Sequence, residues 1–257
     1  MLGNVYDDMG DSVNALKTYK AGLQKFPNSG GLHLETGNYY FVKQDYNSAL
    51  KYYELGIAKE PTHPSNYFRA AQIFLTMTEE EVWGMIYGEI FMNLEPNTER
   101  TQAMSKWLHD TYKSEIKIVN DTFATVSFSK TATMLAGSKI LPFNSEYEIG
   151  FLTNVPGIGT INLESMCSLR SSFVKNFFEN NKFKDYPVAI LDYNYKIMKA
   201  GHFDAYNHWL LSQGDKDAFK KWKDGHKTEF DKFAEWFKAN RISLNSKNVF
   251  LRENFGG

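Results

Sequence analysis

The stretch LGNVYDDMGDSVNALKTYKAGLQKFP at residues 2–27 and the stretch TGNYYFVKQDYNSALKYYELGIAKEP at residues 36–61 decide the fold. Pro27 and Pro61 stand 34 residues apart, and Pro96 follows after another 35. In this register Gly3, Gly37 and Ala71 coincide, as do Tyr6, Tyr40 and Phe74, then Tyr19, Tyr53 and Tyr87. Ala15 and Ala49 also coincide, with Gly22 and Gly56 seven residues after them. A period in this range marks units too small to bury their own apolar face, which must stack on one another. Two helices approach closely only where one presents Gly or Ala, and rings fill the gap around that contact. Pro then ends the second helix, because it lacks an N–H and clashes with the preceding turn.

This alternation resembles the tetratricopeptide repeat, whose consensus runs Trp-x2-Leu-Gly-x2-Tyr, then Ala, an aromatic residue, Ala and Pro. Residues 2–27 match it through Leu2, Gly3, Tyr6, Gly10, Ala15, Tyr19, Gly22 and Pro27, and residues 30–61 match almost as well. Residues 64–96 depart from it: Trp83 stands where a small residue belongs, Ile90 where Ala or Gly belongs, and Pro96 arrives one residue late. The resemblance implies an all-α fold. A helix-turn-helix solenoid is expected over 1–117, with units at about 1–28, 29–62 and 63–97 and a further helix at 98–117. A mostly helical C-terminal lobe with a small β-hairpin is expected over 118–257. Because the first unit starts at its Leu-Gly step, Met1 is not expected to be a natural beginning, and any signal peptide is expected to be absent with the missing part. The whole resembles secreted or periplasmic bacterial repeat proteins of the Bacteroidetes kind.

Among the 257 residues no apolar run approaches the ~20 needed for a membrane helix, so no membrane span is expected. Net charge is −1, divided into 7 basic and 12 acidic residues over 1–97 and 22 and 18 over 98–257. No basic stripe of the kind that tracks a phosphate backbone is present, and no nucleic-acid partner is expected. Cys167 is the single cysteine, which excludes an intramolecular disulfide and leaves the compartment undecided.

Past Asn97 the register is lost while helical periodicity persists. Residues 98–117 read as a helix capped by Thr98, with Met104, Trp107, Leu108, Tyr112 and Ile116 on one side. Between Asp121 and Phe143 the near alternation of Ala124, Val126 and Phe128, followed by Gly137 and Ile140-Leu141-Pro142, predicts the hairpin. Helix is expected to resume at Ser145 as N-cap with Glu148 three residues on, and Val155-Pro156-Gly157-Ile158-Gly159 reads as a loop. Leu163, Met166, Cys167, Phe173, Val174 and Phe177 form a stripe interrupted by Arg170, and Pro187 to Gly214 reads as a helix pair turning at Gly201. Residues 215–239 read as one amphipathic helix carrying Phe219, Trp222, His226, Phe230, Phe233 and Phe237.

Reactive motifs are sparse. The histidines at 202, 208 and 226 lack the spacing of a metal site, Cys167 reads as core, and Gly157-Ile158-Gly159 reads as a turn without the lysine of a phosphate loop. No cofactor and no metal are expected. In tetratricopeptide arrays the first helix of each unit lines a groove, which the resemblance carries onto Asn4, Asp7 and Asp8, then Leu34, Glu35, Asn38, Phe41 and Val42, then Ser65, Phe68, Arg69, Gln72 and Leu75. Mixed amide, charged and apolar groups suit an extended peptide or protein segment, with Asn38 and Arg69 expected at the surface. The pattern for clamping a chaperone's C-terminal carboxylates is rejected, since Glu35 sits where an Asn belongs and would repel the acid. The expected role is a non-enzymatic scaffold or adaptor. Two other classes stay open: an enzyme whose site in the C-terminal lobe draws on Arg170, Asp192, Tyr193, His202, Asp204 and His208, and a structural subunit of a larger assembly.

Overall fold

The computed structural model describes residues 2–120, 123–132 and 140–256. These form thirteen α-helices and one two-stranded antiparallel hairpin. The first six helices make three helix-turn-helix pairs: α1 (Leu2–Asp8) with α2 (Ser12–Lys25), α3 (Gly30–Val42) with α4 (Tyr46–Lys59), and α5 (Pro64–Met77) with α6 (Glu81–Leu94). Local chemistry sets the boundaries. Phe26, Glu60 and Glu95, each before a proline, leave the helix with the same backbone, φ/ψ −129/67, −136/77 and −133/75. Proline excludes the helical conformation from the residue before it. The turns of the first two pairs pass through left-handed residues 34 positions apart, Gly10 (φ 77) and Gln44 (φ 61). Asp11 and Asp45 then cap α2 and α4 by accepting from the backbone N–H of Asn14 and Ser48. The third pair does without both devices: Thr78 is extended, and Glu80 makes no side-chain cap bond.

Where the paired helices meet, a side chain gives way to a ring. A Cβ at Gly3 would lie 2.2 Å from Tyr19, and one at Gly37 would lie 2.4 Å from Tyr53. Between pairs, Gly22 receives Leu32 and Gly56 receives Asn66.

The expected helix after Asn97 is α7 (Glu99–Glu115), opened by the Thr98 side chain on the Thr101 N–H in a capping box. It ends two residues early, because Ile116-Lys117-Ile118-Val119 is a β-branched run that extends instead. This run is β1 (Ile116–Asn120), and it pairs with β2 (Phe123–Val126) in the register Ile116↔Val126 and Ile118↔Ala124. The hairpin therefore precedes most of the 121–143 stretch assigned to it, and Gly137 lies outside the described residues. Past β2 the chain runs beside the start of α6, where Val82 N–H donates to Phe128 O (2.9 Å) and Lys130 N–H to Glu79 O (2.8 Å).

The helix expected to start at Ser145 starts two residues sooner, as α8 (Phe143–Leu152) behind Pro142, whose ring fixes φ at −56. Ser145 is buried inside it, and Glu148 accepts from the Ser129 N–H (2.7 Å) rather than closing a capping box. Then come α9 (Leu163–Glu179), α10 (Ala189–Lys199) and α11 (Phe203–Leu211), the last two turning at Gly201 with φ +78. The single amphipathic helix expected over 215–239 is two, α12 (Lys216–Gly225) and α13 (Lys227–Ala239). His226 (φ −124, ψ 31) breaks it, with both its N–H and its Nδ1 against Trp222 O. The break folds the aromatic stripe on itself, bringing Phe230 within 5.8 Å of Phe219, while Phe233 and Phe237 reach Trp209 on α11.

One continuous core runs from α4 to the C-terminal tail, while Ala15, Tyr19 and Leu32 make a small separate cluster. The tail returns to the second and third pairs. Phe250 packs on Trp83 and Tyr87, and the Arg252 guanidinium donates to Glu54 (2.8 Å).

Candidate functional site

The row of first helices carries the residues named from the sequence, with α3 touching α5 and α5 touching α7. Each buried tyrosine of a second helix anchors a polar group of the first. Tyr19 Oη donates to Asp7 (2.5 Å), with Asn4 Oδ1 at 3.2 Å, and Tyr53 Oη donates to Asn38 Oδ1 (2.9 Å). Asn38 in turn donates to Glu35 (3.0 Å). Burial raises the Tyr19 hydroxyl above the ordinary tyrosine range, and the hydrogen bond and charge of Asp7 add to this. Burial also raises Tyr53, opposed by the charge of Arg69 and assisted by that of Glu35. Both phenols thus remain protonated donors at neutral pH.

On α5, Arg69 donates to Gln72 (2.9 Å), and its guanidinium lies 5.4 Å over the Phe41 ring of α3. Arg100 on α7 extends the row by donating to Ser65 (2.9 Å), and it pairs with Glu95. Charge is therefore ordered along the row, from Asp7, Asp8 and Glu35 to Arg69 and Arg100. Between the first pair and α3 lies a recess of about 400 Å³, lined by Asp7, Ser12, Asn38, Tyr39 and Val42 among others.

Three of the expectations for this row are corrected. Asn38 and Arg69 are half-buried rather than exposed, because one anchors Tyr53 and the other spreads over Phe41. Phe68 is only 8 % exposed, enclosed by Phe91, Trp107 and Arg100, so it belongs to the core. Leu75 turns onto Gly84 of α6 instead of facing the row. Glu35, Phe41 and Gln72 are half-buried and Asp8 is exposed, as a lining requires.

The six polar residues of the C-terminal lobe do not converge on one cavity. Arg170 is buried and donates to Glu89 (2.6 Å), while Tyr193 donates to Asn240 O (2.8 Å). His202 faces Trp236, whereas His208 stacks on Trp222 at 4.0 Å with Asp204 and Glu164 beside it. Asp192 is exposed. Burial, the first cause, drives the Cys167 thiol well above its usual range, which leaves it a poor nucleophile. Among the described residues no group of three His, Cys, Asp or Glu could hold a metal, and no helix is long and apolar enough to cross a membrane.

The sequence reading missed the buried network around Glu89 and Arg170. Besides Glu89, Arg170 donates to Asn207 (2.8 Å) and Tyr112 (2.7 Å). Asn194 and Tyr206 both donate to Glu89 (2.9 Å each). It joins α6 and α7 to α9, α10 and α11. The available signal was a charge inside each of two apolar helical stripes, since a buried charge needs a buried partner. Comparison with known proteins returns no matching family model, no matching curated protein and no matching solved structure.

Proposed function

We propose that this chain is a non-enzymatic scaffold or adaptor of tetratricopeptide type, which holds a peptide or protein segment along the row α1, α3, α5 and α7. The observation that supports the reading is the spacing of that row. Asn4 and Asn38, 34 positions apart, meet Tyr19 and Tyr53 in the same way, so each pair offers a fixed amide edge beside the recess between them. Amides held at a regular rise can exchange their internal partners for the N–H and C=O groups of an extended chain, and the apolar patches of Phe41 and Val42 take its side chains.

Asn38→Ala would strand the Tyr53 hydroxyl, at about 1–3 kcal/mol of stability, so the informative variant is Glu35→Gln with Arg69→Gln. The native chain and this double variant serve as parallel baits in a lysate of the native organism, with thermal unfolding as a control. A protein retained by the first and lost from the second, at unchanged melting temperature, is the expected result. Equal retention by both would sink the groove reading.

A second reading, a structural subunit, rests on the outer side of the first pair, where Leu2, Val5, Met9 and Val13 are exposed together. Self-association that is insensitive to salt and abolished by Val5→Asp would favour it.

A further inference from the structure

A second concavity lies away from the row, where α6 and α7 meet α11, α12 and α13. It has a volume of about 340 Å³, at the small end of the ~300–1,000 Å³ typical of ligand pockets, and admits one small ring rather than an extended chain. Its lining is divided by chemistry. Trp209, Phe219 and Phe230, from the three last helices, supply half-buried rings. The stretch opening α7 and the turn after α11 supply hydroxyls and amides: Asn97, Thr98, Gln102, Ser105 and Gln213. Ser105 is buried and accepts the Gln213 N–H (3.1 Å), which locks the two polar edges together. Lys223 brings the one charge in the lining, its Nζ 4.4 Å from the Phe230 ring centroid, and no carboxylate of the described residues lines the recess.

We propose that this recess binds a saccharide unit carrying a carboxylate, a uronic acid either free or at the end of a glycan. A pyranose ring has an apolar C–H face, which suits the exposed aromatic surface, and an edge of hydroxyls that each donate and accept. Primary amides also donate and accept at once, so Asn97, Gln102 and Gln213 are matched to that edge. The acid group pairs with Lys223 in a site without competing carboxylates. An aromatic acid would satisfy the lysine and the rings but desolvate five polar side chains without repayment. A neutral sugar would leave Lys223 without a counter-charge.

The test uses the full chain, with binding followed by saturation-transfer NMR and titration calorimetry. The probes are glucuronate, a glucuronate-terminated disaccharide, glucose and benzoate, each at millimolar concentration. Glucuronate is expected to bind roughly tenfold more tightly than glucose, since a hydrogen bond to a charged group is worth more than a neutral one, and benzoate is expected not to bind. The disaccharide binding more tightly than the free acid identifies a glycan end as the source; the reverse identifies the free acid. Lys223→Met should bring glucuronate to the level of glucose, and Gln102→Ala should weaken both. Neither change should move thermal unfolding, because Gln102 is exposed and Lys223 is half-exposed. Absence of binding by every sugar would overturn the proposal. So would benzoate binding as tightly as glucuronate, or glucuronate binding undiminished by Lys223→Met.

Discussion

The first and third helix pairs have the same layout and opposite surroundings. In the first, Ala15 and Tyr19 share a small cluster with Leu32, and Leu2 and Met9 remain 63 % and 74 % exposed. In the third, every residue of α6 from Val82 to Asn93 is buried. The positions that keep a small residue in earlier pairs carry Trp83 and Ile90 there, and both are enclosed, Trp83 by Phe143 and Phe250. A helix covered on all sides no longer needs a polar outer face, so its sequence drifts from the repeating pattern toward continuous apolarity. The departure of residues 64–96 from the consensus thus reflects burial by the lobe that follows.

Three experiments would break or sharpen this contrast. The largest effect is expected at the network that fixes the third pair to the lobe. Arg170→Met strands the buried Glu89 carboxylate and should cost about 3–5 kcal/mol in urea unfolding, whereas Arg170→Met with Glu89→Gln should recover part of it. If the single variant were neutral, the lobe would not be anchored through α6.

Next comes the glycine–tyrosine contact, tested in two places. Gly37→Ala drives a methyl into the Tyr53 ring and should cost about 1–3 kcal/mol globally, because Tyr53 belongs to the continuous core. Gly3→Ala makes the same clash in the separate cluster. There it should appear as faster amide exchange in α1 and α2, with the main transition unmoved. A shift of the whole transition by Gly3→Ala would show that the first pair is not an independent unit.

The smallest effect is one of pH, at the start of α6. Burial first, then the neighbouring charges of Glu115, Glu80 and Glu79, raise the Glu81 carboxyl from 4.5 to about 7, against its own backbone hydrogen bond. The folded chain holds this proton where the unfolded chain has released it. Its stabilisation is therefore full below about 4.5 and is lost as pH rises through about 7. Glu81→Gln should flatten the melting temperature across that window; an unchanged slope would mean that Glu81 titrates normally.

Helix boundaries set by a neighbouring covalent feature were legible in the sequence. Prolines 27, 61 and 96, the Thr98 cap and Gly201 act within a few residues, and the structure follows them. Boundaries set by tertiary packing were not. The break at His226 exists because the aromatic stripe must wrap around Trp209 and Tyr206, and the periodicity of residues 215–239 is the same on either side of the kink. The candidate row was legible as a register, through Asn4, Glu35, Asn38 and Gln72. The fate of Phe68 and Leu75 depended on Trp107 and on Gly84, neither of which a register reveals. Arg170 and Glu89 were visible as charges in apolar stripes, while their pairing across 81 residues was not.

The return of the tail to α4 and α6 also has a consequence for how the chain comes to be folded. Arg252 meets Glu54 across 198 residues, and Phe250 closes over Trp83. During synthesis the helices of the first pair, whose contacts are local, can form as they emerge. The outer side of α6 stays bare until the last residues have left the ribosome. A late-closing contact of this length is slow to find and leaves apolar surface open in the meantime. The final segment therefore acts as the latch that ends the period of greatest exposure to aggregation.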